Sequence, residues 1–341
     1  EMPFQIYTFI AQWFWSRGLL FELTYLVLTW NLCCRTNNTE AIRMGHIGWF
    51  ADSLEIVFGV TKSNQEGDRK EVRLVFANPN CPFICPVLVL GLYLSSLSSS
   101  STSSDLLFPG GNQATRFNRA LNDAISSPDF LPHLSSFGLQ PSDIGAHSIR
   151  KGAGTYLCSG STASPSHASV CLRMSWSLGT TQERYLHYNK AADGYCGRIL
   201  CGLPQTSVKF ALLPPHPATS FPPEITKLSF PSTASLLPLE RVRQFCLSSL
   251  LHHLPFVEKN LPSNHSFFYT SFYSSASPSL KETPLFSGIS SLHLSPSGLP
   301  PHVLTWVNQQ ETMSLLQGLP ERILGGVGGV LKENGGASGN V

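Results

Sequence analysis

The chain has 341 residues, 42% of them apolar, and carries a net charge of +2. That length leaves room for one full domain and an appendage. So small a charge excludes a polybasic binder that would hold nucleic acid by bulk electrostatics, and any such affinity must come from local clusters. Nine cysteines are scattered without a CxxC pair, and none has partner histidines at zinc-finger spacing, so the pattern reads as buried free thiols in a reducing compartment.

Apolar spacing predicts a helix over 3–17 and a second over 19–35. The second contains Glu22, Thr24, Thr29 and Asn31, which suit a buried core helix better than a membrane span. It delivers Arg35 at its end, where a cation also serves as a helix cap. Residues 39–50 read as a short helix or turn leading into a hairpin built from the β-rich runs 53–60 and 71–77. The polar loop between those runs holds Lys62 and Gly67, and Lys70 lies on the same hairpin. A buried helix is expected over 85–96. It runs into 95–105, almost all serine and therefore a flexible loop.

Residues 112–126 are expected to form an amphipathic helix with Arg116 and Arg119 on one face, either solvated or against a DNA backbone. A further helix over 145–158 carries His147 and Arg150, and 165–176, 179–188 and 191–202 read as three more. After Pro204 the character changes: Pro214, Pro215, Pro217, Pro222, Pro223, Pro231 and Pro238 break any long element. One helix is expected over 239–254, with the rest loosely ordered out to the glycine-rich end. The expected architecture is mainly α with a small β-hairpin or sheet over 1–205, followed by a Pro/Ser/Gly-rich extension over 206–341.

The residues that carry chemistry are Arg35, Lys62, His147, Arg150, Trp176 and Tyr185. Phosphoryl transfer asks for charge on the equatorial oxygens and an aimed nucleophile. Arg donates bidentately to two oxygens and keeps its charge. His147 and Arg150, three apart on a helix, project from one face towards one phosphate, and an imidazole can exchange a proton near neutrality. Trp176 offers an indole N–H. The phenol of Tyr185 becomes a nucleophile once a base and nearby cations lower its pKa. Each residue has a duller alternative. His147 and Arg150 match by chance, Trp176 packs in a core, Lys62 is a solvated loop lysine with Lys70 as rival, and Tyr185 is a packed tyrosine with Tyr188 as rival nucleophile. His187 and Lys151 take no role.

In this order and spacing the six residues resemble the catalytic set of the tyrosine recombinase (phage-integrase-like) family, most nearly the Crypton-like and DIRS-like transposon recombinases of eukaryotes. The phrases that carry the likeness include Lys62-Ser63-Asn64-Gln65-Glu66-Gly67, Ala77-Asn78-Pro79, Leu107-Phe108-Pro109-Gly110, His147-Ser148-Ile149-Arg150-Lys151-Gly152 and Gly202-Leu203-Pro204. The resemblance implies a recombinase catalytic-domain fold over about 1–210. It also implies roles. Arg35 and Arg150 bind the scissile phosphate, Trp176 supports it, Lys62 protonates the leaving 5′-oxygen, His147 serves in acid–base work, and Tyr185 forms a 3′-phosphotyrosyl bond. The implied function is DNA recombination and integration for a mobile element in the nucleus. It requires no metal, no nucleotide cofactor, no membrane and no small-molecule substrate, and double-stranded DNA and a tetramer of this chain are the partners. Asn38 stands where many members carry an acid, and Met174-Ser175 precede Trp176 where a small pair is usual. The chain opens on Glu1 without a counterpart of the family's N-terminal DNA-clamping domain, so it reads as a fragment. An inactive or domesticated DNA-associated relic of such a recombinase is the alternative.

Overall fold

The structure is a computed structural model of the full chain. It describes residues 1–58, 71–97, 105–179, 189–280, 282–310, 312–313 and 316–317. The fold is mainly helical with two small antiparallel sheets. Helix α1 (Phe4–Ser16) buries Ile6, Tyr7, Ile10, Ala11, Phe14 and Trp15, an i, i+3/i+4 stripe that explains both its existence and its orientation. Gly18, at φ +67, turns the chain into α2 (Leu20–Leu32). Every residue of α2 is buried; apolar side chains fall on all its faces, and Thr24, Thr29 and Asn31 bond carbonyls one turn back. Its one carboxylate, Glu22, meets Arg116 Nε at 3.0 Å. Among the described residues no helix is long and apolar enough to cross a membrane.

Helix α2 ends at Leu32 because Cys33 adopts φ +49, a left-handed conformation that stops the helix. Arg35 therefore does not cap α2. It is the residue before α3 (Thr36–Glu40), with extended backbone. The stretch expected as a short helix or turn over 39–50 resolves into the end of α3, a 3₁₀ turn at Met44–His46 and a strand, β1 (Ile47–Phe50). β1 pairs with β2 (Ser53–Phe58), which pairs with β3 (Glu71–Phe76), all antiparallel in the order β1-β2-β3. The register sets Ile56 opposite Arg73 and Leu54 opposite Val75.

Helix α4 (Pro86–Ser96) is followed by α5 (Gln113–Ile125), α6 (Leu131–Ser136), α7 (Ala146–Ser159), α8 (His167–Arg173) and α9 (Lys190–Leu200). The central α2 packs against α1, α4, α5, α7, α9 and β3. The amphipathic α5 turns Phe117, Leu121, Ala124 and Ile125 inward. Its outer face is not simply solvated, because the Arg116 guanidinium lies 4.1 Å over the Phe21 ring. The Arg116 salt bridge and this cation–π contact tie α5 to α2.

From 206 to 280 the chain packs against the core, unlike the loose order that its proline content suggests, and Val303 and Val307 are buried further on. They form α10 (Pro223–Ser229), α11 (Glu240–His252), α12 (Leu254–Asn260), α13 (Ser277–Leu280) and a helix at 301–310. They also form a small sheet of β4 (His216–Pro217) and β5 (Leu285–Phe286). Helix α11 lies on α4 and β1, and Phe245 stacks on Trp49 with ring centroids 3.8 Å apart and planes 6° off parallel. The buried side chains Phe210, Phe230, Val242, Leu247, Phe267 and Phe272 join the same core as α1–α9. Prolines break local helices, but single aromatic residues between them anchor the chain by tertiary contact, which composition does not show.

Candidate functional site

Helix α7 places His147 in its first turn and Arg150 one turn on. Ile149, Arg150, Gly152, Ala153 and Leu157 face inward. Gly152 has no room for a side chain, because a Cβ there would collide with the Met2 carbonyl. His147 is exposed at the rim, while Arg150 is only 6% exposed. The Arg150 guanidinium turns towards two backbone carbonyls: Nη1 donates to Cys33 at 2.9 Å and Nη2 to Met174. It thereby links the left-handed end of α2 to the turn after α8.

Burial, then the neighbouring charge of Arg35, and further the charge of Arg73, lower the pKa of Arg150 below the usual guanidinium range. Arg150 bonds the Cys33 carbonyl two residues before Arg35, so the charge of Arg35, far away in the chain, bears on Arg150. Arg35 is half-buried and forms no ion pair among the described residues. Like charges near one another favour an anion close by. Burial also pushes the Cys33 thiol up to about 12, against the pull of Arg173, Arg150 and Arg73. Cys33 is therefore neutral near pH 7 and does not compete for the arginines.

Trp176 is 45% exposed and lies beside α7. A Cβ on Gly154 would sit 3.7 Å from its ring and 3.0 Å from Met174 Cε, so a glycine four residues after Arg150 lets the 174–176 turn approach the helix. The Trp176 amide donates to the Cys171 carbonyl at 2.8 Å. Helix α8 ends at Arg173, short of the helix expected over 165–176. Trp176 therefore projects from a turn, with Ser175 at φ +49. Lys62 and Tyr185 lie outside the described residues, as do the Ser-rich 98–104 and most of the helix expected over 179–188. The structure brings Arg150 to the turn before Trp176 and to the Cys33 carbonyl two residues before Arg35, with His147 on the same helix as Arg150.

Sequence reasoning missed the buried frame around these groups. A recess beside Arg150 is lined by Cys33, Asn38, Glu71, Arg73, Arg173 and Ser175, among others. Its inner part has room for about one water, so an anion as large as a phosphate would sit at its mouth. Arg173 is 1% exposed and donates to Asp193 Oδ2 at 2.6 Å, to the Asn31 carbonyl at 2.6 Å and to the Leu74 carbonyl at 3.0 Å. One side chain thereby joins α8, α9, α2 and β3. The available signal was an arginine inside an otherwise apolar run, Val170-Cys171-Leu172-Arg173-Met174, because a buried charge needs a partner. Among the described residues no group of three or more His, Cys, Asp or Glu is placed to hold a metal ion. A scan against protein-family models and searches of curated proteins and of solved structures return no match for this chain.

Proposed function

We propose that the chain is a DNA strand-exchange enzyme of the tyrosine recombinase type, acting in the nucleus on double-stranded DNA for a mobile element. The observation that carries the reading is Arg150 held beside the turn that bears Trp176, through the Met174 carbonyl, and bonded to the Cys33 carbonyl two residues before Arg35. In this reading the two guanidinium groups hold the non-bridging oxygens of the scissile phosphate, and the Trp176 indole N–H adds a donor from the exposed side. The Tyr185 hydroxyl attacks phosphorus, the bond to the 5′-oxygen breaks, and a 3′-phosphotyrosyl bond stores the energy for rejoining. Lys62 gives the proton to the leaving oxygen, and His147, at the rim, takes part in proton transfer. Self-association on DNA, as a tetramer, belongs to the same proposal.

A nicked suicide substrate tests it. Strand cleavage beside the nick lets the short fragment diffuse away and traps the covalent adduct. The wild-type chain is expected to form that adduct without added metal, and Tyr185→Phe to abolish it. Adduct that persists in Tyr185→Phe overturns the nucleophile assignment, and a wild type that forms none overturns the activity.

One observation favours a second reading, that of a DNA-associated relic. The Arg150 donors already serve two backbone carbonyls, and the recess behind them is too small for a phosphate. A relic would retain duplex affinity that falls with salt and yield no adduct with any substrate.

A further inference from the structure

Arg73 lies on β3 and is 2% exposed. All three of its guanidinium nitrogens are engaged. Nε donates to the Arg173 carbonyl at 3.0 Å and Nη1 to the Val72 carbonyl at 2.9 Å. Nη2 donates to the Leu172 carbonyl at 3.0 Å, to Glu71 Oε2 at 2.8 Å and to Ser175 Oγ at 2.9 Å. The Ser175 hydroxyl in turn donates to Glu71 Oε2. A guanidinium so fully used has little left to offer an anion. Arg73 is therefore a different kind of residue from Arg35, although both lie near Arg150.

Its targets are informative. Residues 172, 173 and 175 bracket Met174, whose carbonyl receives Arg150, and the next residue is Trp176. Ser175 holds a left-handed backbone, φ +49, a conformation that a serine keeps only where its surroundings over-determine it. The Arg73 fork supplies that determination from a strand rigidly paired to β2. We propose that Arg73 is a positioning residue of the candidate site. It fixes the 172–175 segment, so that the Met174 carbonyl sets the orientation of Arg150 and the Trp176 ring stands over Gly154. This rests on reading Arg35, Arg150 and Trp176 as the groups that meet the phosphate.

Fluorine NMR of protein labelled with 5-fluorotryptophan tests the proposal without needing activity. The chain has six tryptophans, and Trp176→Phe identifies the resonance of interest. Arg73→Gln, Arg73→Lys and Ser175→Ala are each expected to shift or broaden the Trp176 signal while the other signals stay in place. Arg73→Gln should have the largest effect and Ser175→Ala the smallest. Ser175→Ala removes one hydroxyl and leaves the Arg73–carbonyl bonds, so it reports even if Arg73→Gln does not fold. Adduct formation on the suicide substrate is expected to slow by roughly 10- to 100-fold in Arg73→Gln, as for a small misplacement of reacting groups. A Trp176 signal unmoved in folded Arg73→Lys and Ser175→Ala overturns the proposal, as does a moved signal with adduct formation at the wild-type rate. If the wild type forms no adduct, the strand-exchange reading fails, and the fluorine spectra still decide what Arg73 holds.

Discussion

Arg173 Nη1 and Asp193 Oδ2 stand 2.6 Å apart with both side chains almost wholly removed from solvent. The same carboxylate oxygen accepts the Leu74 amide of β3 at 2.7 Å. Helices α8 and α9 are thus pinned to one another and to the sheet through one charge pair. Asp193→Asn keeps the shape and leaves a buried guanidinium without its counter-charge. Breaking one side of a buried pair costs about 3–5 kcal/mol, a large share of a typical folding stability of about 5–15 kcal/mol. Urea denaturation is expected to show that loss in Asp193→Asn, and a loss below about 1 kcal/mol would mean that the pair is hydrated in solution.

The 206–310 extension shares the core, and Gly91 marks where. A Cβ on Gly91 of α4 would stand 3.1 Å from the Cys246 carbonyl and 3.3 Å from Leu250 Cγ on α11. Gly91→Val drives the two helices apart, at a cost of about 1–3 kcal/mol for overpacking. Removing everything after 205 uncovers the face of α4 and the Trp49 ring that Phe245 stacks on. A chain ending there is expected to bind an apolar dye such as anilinonaphthalene sulfonate and to lose its cooperative melt. A sharp thermal transition in the shortened chain would show that 1–205 folds alone.

Much of the helical frame was legible because its signal is local. The apolar spacing of Ile6, Ile10 and Phe14, or of Phe117 and Leu121, is written in neighbouring residues. Strand β1 was not legible, because Ile47-Gly48-Trp49-Phe50 lacks alternation and contains a glycine. Its strand character comes from pairing with β2. The candidate site divides the same way. The His147-x-x-Arg150 helix could be expected from the sequence, whereas the burial of Arg150 against the Cys33 and Met174 carbonyls depends on residues far away. No local pattern says which carboxylate neutralises Arg73 or Arg173. Lys62 and Tyr185 rest on the sequence resemblance alone, since both lie outside the described residues.

The thiols give a prediction about reactivity. Cys158 is exposed and Cys81 half-buried, while the other seven are buried. Burial raises the Cys33, Cys196 and Cys201 thiols to about 12, so little thiolate exists at neutral pH to attack a reagent. A colorimetric disulfide reagent at pH 7.5 is expected to label Cys158 first and Cys81 slowly. The others should react only after denaturant is added. Cys158→Ser should remove the fast phase, and rapid labelling of several thiols in that variant would contradict the packing around α2 and α9.

His253, between α11 and α12, gives the clearest pH dependence. The residue is 5% exposed and its Nε2 has no hydrogen-bond partner among the described residues. Burial, helped by the neighbouring His252, lowers its pKa from 6.5 to about 3. A depressed imidazole means that the native state binds fewer protons than the unfolded chain between those values. The stability it protects is therefore whole above about pH 6.5 and is lost as the pH falls towards 3. At about 1.36 kcal/mol per pH unit, the full loss is on the order of 5 kcal/mol. His252 and His265 are also lowered by burial and act in the same direction. Carboxylates add their own titration below about pH 5, so the comparison must be between proteins at each pH. His253→Leu keeps the volume apolar and removes the proton site. Urea unfolding at pH 7, 5.5 and 4.5 is expected to show the wild type weakening faster than the variant, with the gap widening at each step. Parallel curves would mean that His253 reaches water and protonates in the folded protein.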